Sequence, residues 1–330
     1  MTKLLIAGNI HADGLALLRA EPGLQIDIIT DPGAALPMDK LSACDALLIR
    51  YGVVTADMAA QMPNLRIVSR HGVGCDNLPV NELAARGVPV TIVGPVSAVS
   101  VAEQVLAMLM ALVKQIVPYD AATRNGNWPI RESLAVGELA GKRLMILGFG
   151  RIGREVARRA RAFDMEVMAF DPFVPADAIR AAGCVPVADW RAALPQVDAI
   201  SLHLPASAET KGMIGAAELA AMKPTAIVLN AARGGMVDEA ALHAALSGRM
   251  AQGGAGLDCF AVEPVPLDLP LLALPNVVLS PHSAALSREA ARRMGVVAAQ
   301  NILDALHGRI DPALVFNRKA LEAAGHKVNG

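Results

Sequence analysis

The sequence predicts an α/β protein built on two doubly wound parallel sheets, and three observations carry that reading. Short β-rich runs alternate with helical stretches along almost the whole chain, the pattern of parallel strands covered by helices. The runs are nearly all apolar rather than alternating, as in strands buried on both faces. The chain has 330 residues, a length that favours two domains at roughly 150 residues each.

The first series of strands is KLLIAG, LQIDIIT, ALLIR, LRIVS and VPVTIV, all before residue 95. Ser100 to Val117 follows as one long apolar helix, expected to pass from one domain to the other. The second series comes after Gly141: RLMILG, EVMAF, DAISLHL, TAIVLN, GGAGLD and NVVLSPH. Beyond Ser287, REAARRMGVVAAQNILDAL predicts a further helix before a short tail. No repeat of fixed period and no low-complexity segment interrupts the pattern.

Composition narrows the function classes. Hydrophobic residues make up 54% of the chain and charged residues 18%, which excludes a disordered protein. Thirty basic against 31 acidic residues leave a net charge of −1, with no electrostatic footprint for nucleic acid. Aromatics at 3% offer few stacking platforms for single strands. Mean hydropathy is +0.41, yet the most apolar helical stretch, Val105 to Val113, lies between Glu103 and Lys114 and is too short to cross a bilayer. The start, MTKLLIAGNIHADG, lacks the apolar region and cleavage site of a signal peptide, so a cytoplasmic location is expected. Cys44, Cys75, Cys184 and Cys259 are far apart and form no CxxC pair, so buried free thiols are expected rather than a disulfide framework or a structural metal.

The most informative segment is LMILGFGRIGREVARRARAF, where Gly148, Gly150 and Gly153 make GxGxxG between a strand and a helix. In that context Gly148 permits the tight turn, Gly150 lets backbone approach a pyrophosphate, and Gly153 lets the helix pack against the strand. Ile152, Val156, Ala160 and Phe163 then share one helical face. The next strand ends at Asp171, 18 residues beyond Gly153, near the spacing of the carboxylate that holds an adenosine ribose diol. Such a group repels a 2′-phosphate, and no Arg follows at 172–175, so NAD is favoured over NADP. Asp171 before Pro172 also fits an ordinary turn.

In an open parallel sheet, ligands bind beyond the carboxyl ends of the strands. Those ends carry Gly148, Asp171, His203, Asn230 leading to Arg233, Asp258, and His282. Hydride exchange with a hydroxy acid needs a cation for the carboxylate, a base for the hydroxyl proton and a group that orients the base. Arg233, His282 and Glu263 are candidates: a guanidinium pairs bidentately with a carboxylate, imidazole suits proton exchange near neutrality, and a carboxylate beside it favours its protonated form. Taken singly, Arg233 also fits an outward salt bridge, Glu263 a solvated loop carboxylate and His282 a satisfied loop histidine.

These segments together resemble the D-isomer-specific 2-hydroxyacid dehydrogenase family, through ELAGKRLMILGFGRIG, LHLPASAETKGMIG, MKPTAIVLNAARGGMVDEAAL, GLDCFAVEP and LSPHSAA. The resemblance implies a Rossmann cofactor domain, residues 99–286, inserted in a flavodoxin-like substrate (catalytic) domain made of 1–98 and 287–330. It implies that Arg233 binds the substrate carboxylate, His282 is the general acid/base and Glu263 pairs with it. It places NAD contacts at Gly148, Gly150, Arg151, Ile152, Gly153, Asp171, His203, Leu204, Pro205 and Thr210. Ala231, Ala232, Arg233, Asp258 and His282 would line the nicotinamide end, with Asp258 on the carboxamide. SRHGVGCDN and LLIRYGVVTADM resemble the phosphoglycerate dehydrogenase branch, so Gly72, Val73 and Gly74 would bind substrate through backbone, with Arg50 and Arg70 for a second anionic group, as in a phosphoglycerate-like or sulfolactate-like substrate.

Two positions depart from that pattern: His71 stands where a small residue is common, and Ser97 where many members carry Asn. The chain ends near residue 330, without the regulatory domain of some members, so feedback by serine is not expected. A homodimer built on the cofactor domain is expected from the resemblance and from the apolar helix VAEQVLAMLMALV. Two alternatives stay open: a glyoxylate/hydroxypyruvate reductase, and an NAD-sensing corepressor-like binding protein. A small 2-hydroxy or 2-keto acid is the expected partner, with no nucleic acid, membrane or metal.

Overall fold

The computed structural model describes residues 1–31, 33 and 35–327. By its internal packing the chain divides into two compact units, Met1–Ser97 with Leu286–Gly330 and Ala98–Ala285. Each has its own parallel sheet and core.

In the first unit the strands are β1 (Thr2–Ala7), β2 (Leu24–Ile29), β3 (Ala46–Ile49), β4 (Ile67–Arg70) and β5 (Val90–Thr91), in the order β2-β1-β3-β4-β5. That is the flavodoxin-like doubly wound order, and every pairing is parallel. Alternate side chains feed two cores. Leu5, Leu47, Ile49 and Val68 pack on one face, while Leu4, Ile6, Leu48 and Ile67 pack on the other against the helix Arg288–Leu306. The helix starts where Ser287 accepts a hydrogen bond from the Ala290 N–H, an N-cap that satisfies one of its unpaired donors. Ser69, buried in β4, donates to the Ala298 carbonyl at 2.9 Å and ties the helix to the sheet.

The second unit contains β6 (Arg143–Leu147), β7 (Glu166–Phe170), β8 (Val185–Pro186), β9 (Ala199–Leu202), β10 (Ile227–Asn230), β11 (Gly254–Leu257) and β12 (Val277–Leu279). Their order is β12-β11-β10-β9-β6-β7-β8, all parallel. The winding reverses between β6 and β9, as in a dinucleotide-binding sheet with one added strand, so ligand chemistry belongs at the carboxyl ends beside that switch point. The two-sheet α/β architecture is the one the sequence predicts. β8 lay outside the expected strands: two residues, one of them Pro186, leave no period to read.

The expected helix through Val117 differs in detail. It runs Ala98–Val113, breaks where Gln115 adopts a φ of 52°, and resumes as Ile116–Arg124, bent by 58°. No single helix among the described residues is long and apolar enough to cross a membrane. Val101, Val105, Leu106, Met108, Leu109 and Leu112 are buried in the unit's own core, so tertiary packing accounts for this helix's apolar character. Its contact with the sheet explains a glycine in a strand. A Cβ at Gly256 would lie 2.8 Å from both Met108 Cβ and Leu229 Cδ2, closer than packed carbons allow.

Candidate active site

The glycine loop is shaped by close approach. Gly148 directly follows β6 with a φ of 94°, and a Cβ there would lie 2.5 Å from the His203 carbonyl oxygen. A Cβ at Gly153, on the helix Arg151–Ala162, would overlap the Gly148 carbonyl oxygen. Only glycines bring β6, the helix start and the β9 end together here. Around Gly150 a Cβ would meet nothing, so open space lies against the N-terminal N–H groups of a twelve-residue helix, the arrangement that receives a pyrophosphate. Arg151 is exposed at that helix start, and Ile152 is half-buried against the core.

Asp171 follows β7 and braces this loop. Its Oδ2 accepts from the Phe149 N–H and its Oδ1 from the Phe173 N–H, both at 2.8 Å. The next segment is braced by Thr210, whose hydroxyl donates to the Pro205 carbonyl at 2.9 Å and accepts from the Ser207 N–H at 2.8 Å. Leu204 packs against the core beside it. His203 follows β9 with Nε2 2.8 Å from Ser201 Oγ, while Nδ1 is buried without a partner. Burial pushes its pKa down to about 3, so the ring is neutral at physiological pH.

Arg233 lies on a turn that Asn230 organises. The Asn230 amide donates to the Arg233 carbonyl at 2.8 Å and accepts from the Ala232 N–H at 3.1 Å. The guanidinium donates through Nη1 to the Ala232 carbonyl at 2.7 Å, and Ala231 and Ala232 are buried beneath it. A Cβ at Gly234 would overlap the Phe260 carbonyl oxygen, so this turn presses directly on the segment that carries Glu263. Glu263 Oε1 accepts from the Phe260 N–H at 2.9 Å, and Oε2 lies 2.7 Å from His282 Nδ1. Both side chains keep a solvent face, 35% exposed for Glu263 and 48% for His282. His282 adopts a φ of 50°, unusual for a residue with a Cβ and costing about 1–2 kcal/mol.

What holds that conformation is Asp258. It is 1% exposed, and its carboxylate accepts from Ser280 Oγ at 2.5 Å, the Ser283 N–H at 2.9 Å and the Ala284 N–H at 3.0 Å. Those donors flank His282 on both sides. A cofactor carboxamide was the sequence expectation for Asp258; the hydrogen bonds give it a positioning task that sequence alone does not reveal. Cys259, next in the chain, is buried, and burial with the Asp258 and Glu263 charges pushes its thiol up to about 12 while Arg233 opposes the shift.

In the first unit Arg50 follows β3, Arg70 ends β4 and Gly72, Val73 and Gly74 follow it, at the carboxyl edge of that sheet. Their engagements differ. Arg70 donates through Nε to the Gly74 carbonyl at 2.9 Å and through Nη1 to the Arg50 and Ile49 carbonyls at 2.6 and 3.2 Å, so it staples neighbouring loops. The Gly72 N–H is bonded to the Arg70 carbonyl. Arg50 is half-buried, donates to the Asn9 carbonyl at 2.7 Å and lies 5.3 Å from the Tyr51 ring centre. Between them His71 is 5% exposed, with neither ring nitrogen hydrogen-bonded. Burial foremost, then Arg50 and Arg70, push its pKa down to about 4.

Fold and site together define a doubly wound α/β protein of the dinucleotide-binding class. A family model described as the NAD binding domain of D-isomer specific 2-hydroxyacid dehydrogenases matches residues 106–284. The chain is 43% identical over 316 residues to a D-3-phosphoglycerate dehydrogenase of Mycobacterium tuberculosis, covering 94% of this chain and 58% of that one. It is 38% identical over 321 residues to a glyoxylate reductase of Korarchaeum cryptofilum, covering 95% of each. A crystal structure of a protein from Thermus thermophilus is similar with a TM-score of 0.85 and 32% identity, over 94% of this chain and 99% of that one. This chain belongs to the D-isomer specific 2-hydroxyacid dehydrogenase family. It spans 58% of the length of the phosphoglycerate dehydrogenase relatives from Methanocaldococcus jannaschii and Mycobacterium tuberculosis.

The buried imidazole of His71 sets a pH dependence of stability. Its folded pKa of about 4 lies below the roughly 6.5 of an unfolded histidine, so the unfolded chain binds a proton that the folded chain refuses. Stability should therefore fall as pH drops from about 6.5 towards 4, by roughly 3 kcal/mol from this residue, with His203 acting in the same direction. Denaturant melts of the parent and of His71→Leu between pH 7 and pH 4.5 check this: the variant should show the shallower slope, and parallel curves would refute it.

Proposed function

We propose that this protein interconverts a 2-hydroxy acid and its 2-keto acid using NAD, with a second anionic group on the substrate. The observation that carries the reading is the 2.7 Å contact between His282 Nδ1 and Glu263 Oε2, set beside Arg233 in the sheet that holds the glycine loop. NAD, when bound, supplies the hydride for reduction or takes it up in oxidation. Gly148, Gly150, Arg151, Ile152 and Gly153 would hold the pyrophosphate, and Asp171 the ribose diol. His203, Leu204, Pro205 and Thr210 would also contact the cofactor, and Ala231, Ala232 and Asp258 would line its nicotinamide end.

The residues divide the remaining work. Arg233 binds the substrate carboxylate, its guanidinium fixed by the Ala232 carbonyl. An ionised carboxylate only accepts, so Glu263 assigns the Nδ1 proton of His282 and leaves Nε2 for the substrate oxygen. In reduction Nε2–H gives its proton to that oxygen; in oxidation Nε2 takes it back. At the first unit's edge, Gly72, Val73 and Gly74 contribute backbone polarity, and Arg50, with Arg70 behind it, recognises the distal anion.

A reduction of glyoxylate or hydroxypyruvate is the second reading, supported by the 38% identity with the Korarchaeum cryptofilum glyoxylate reductase over nearly both whole chains and by Arg70's engagement with four carbonyls of its own unit. We also propose a homodimer through the second unit. Ile116, Val117, Trp128, Leu134 and Val136 leave an apolar strip exposed there, Trp128 at 67% and Leu134 at 86%, and such strips mark association surfaces.

His282→Ala should lower kcat by at least about 100-fold with NADH affinity within a few-fold, since general acid–base catalysis supplies roughly 10²–10⁴. Glu263→Gln should cost less, about tenfold. An unchanged kcat in His282→Ala removes that residue from the chemistry. Arg50→Gln should cost roughly 10- to 150-fold in kcat/KM on a phosphorylated 2-keto acid, from one lost charge-assisted bond, and leave glyoxylate nearly untouched. Equal losses on both substrates decide for the smaller keto acids. For assembly, sedimentation equilibrium at micromolar concentration should report twice the chain mass, and Trp128→Glu should shift it to a single chain; a monomeric parent excludes the interface.

A further inference from the structure

We propose that Cys259, Glu263 and His282 form a binding site for a thiophilic divalent cation of the zinc class, whose occupancy takes the His282 imidazole out of service. Each residue offers one ligand atom, a sulfur, a carboxylate oxygen and an imidazole nitrogen, and all three lie within 4.8 Å of one another. Ligand atoms around tetrahedral zinc sit roughly 3.3–3.8 Å apart, given bond lengths of about 2.0–2.3 Å. The longest side of the cluster therefore has to shorten by at most about 1–1.5 Å. The set of one thiolate, one imidazole and one carboxylate suits zinc and other borderline cations and disfavours magnesium and calcium, which prefer oxygen alone.

Two anchored segments supply these ligands. Cys259 follows Asp258, whose carboxylate is locked by Ser280, Ser283 and Ala284. Glu263 is turned back towards Cys259 by the Phe260 N–H on its Oε1. His282 stands between two of the residues that Asp258 holds. The Cys-x3-Glu spacing places two ligands on one short turn, as metal-binding turns do, and the third arrives from the end of β12.

Burial grades the site by depth. Cys259 is 3% exposed at its floor, while Glu263 and His282 keep solvent faces at 35 and 48%. A cation enters from the water side, and a water completes its coordination. Without metal, the thiol stays protonated, because burial and the two neighbouring carboxylates oppose a thiolate. Those same carboxylates attract a cation, and coordination displaces the thiol proton. The exchange is balanced: the S–H proton leaves to solvent, the Nδ1 proton moves to Nε2 by way of water, and the Nδ1···Oε2 hydrogen bond is replaced by two bonds to the ion. No electron is transferred. An imidazole held this way cannot shuttle a proton between its neutral and cationic forms.

The inhibitory consequence rests on the reading of His282 as the proton-transfer group; the ion site stands on the ligand set alone. Metal-free full-length protein titrated with Co²⁺ should develop a thiolate-to-cobalt charge-transfer band that saturates at one ion per chain and is displaced by Zn²⁺. Calorimetry with Zn²⁺ should show one site, weakened at least about 100-fold in Cys259→Ser, since even outer-shell changes cost 10- to 100-fold. Zn²⁺ should suppress keto-acid reduction reversibly in the parent, and EDTA should restore it. Cys259→Ser should keep metal-free turnover and resist the ion; if its melting temperature falls, Cys259→Ala takes its place. Absence of the charge-transfer band, or undiminished Zn²⁺ affinity in the folded variant, overturns the site and leaves the dehydrogenase reading standing. Binding through Cys259 with turnover untouched upholds the site and overturns the role given to His282.

Discussion

The buried Asp258 carboxylate is the interaction on which the second unit's active edge depends. It directly follows β11, among strands that are fully buried, and its three acceptor contacts reach a segment that begins after β12. A charged acceptor in such a place is tolerable only because it is saturated with donors, each such bond contributing about 1.5–3 kcal/mol. The same saturation fixes the backbone on both sides of His282 and offsets the cost of its left-handed conformation. Ser100 extends the brace: its hydroxyl donates at 2.6 Å to the Ala284 carbonyl, tying the segment to the helix Ala98–Val113. The helix–sheet contact that excludes a Cβ at Gly256 is thus continuous with the one that sets the imidazole.

Close approach is the second constraint. Gly148 against the His203 carbonyl, Gly153 against Gly148 and Gly234 against Phe260 are three places where a single methyl would separate loops that must touch. Each lies at a strand's carboxyl end. Asp171, Arg233 and Glu263 then use hydrogen bonds to backbone amides or carbonyls of these loops, so their positions follow from the backbone's rather than from side-chain packing.

Much of this was legible in the chain. Fully apolar runs locate the strands because parallel strands bury both faces, and GxGxxG locates the switch point because its glycines are demanded by backbone contact. What was not legible depends on contacts between segments distant in sequence. Nothing local to Gln115 announces the break that ends the helix at Val113. The hydrogen bonds that Asp258 accepts from Ser280, Ser283 and Ala284 join segments far apart in the chain, and no local pattern announces them. Cys259 has no cysteine partner, and motif spacing built on CxxC is blind to a thiol that meets a glutamate and a histidine. The staple that Arg70 makes to four carbonyls of neighbouring loops likewise depends on positions that sequence does not give.

The two edges also differ in how charge is supplied. At the second unit's edge, a solvent-facing imidazole sits 2.7 Å from a carboxylate. At the first unit's edge the one imidazole, His71, is driven neutral by burial and by two guanidinium groups. Positive charge there resides in arginines, which keep it at every physiological pH. His71, where the family pattern has a small residue, adds bulk beside Arg50 without adding charge.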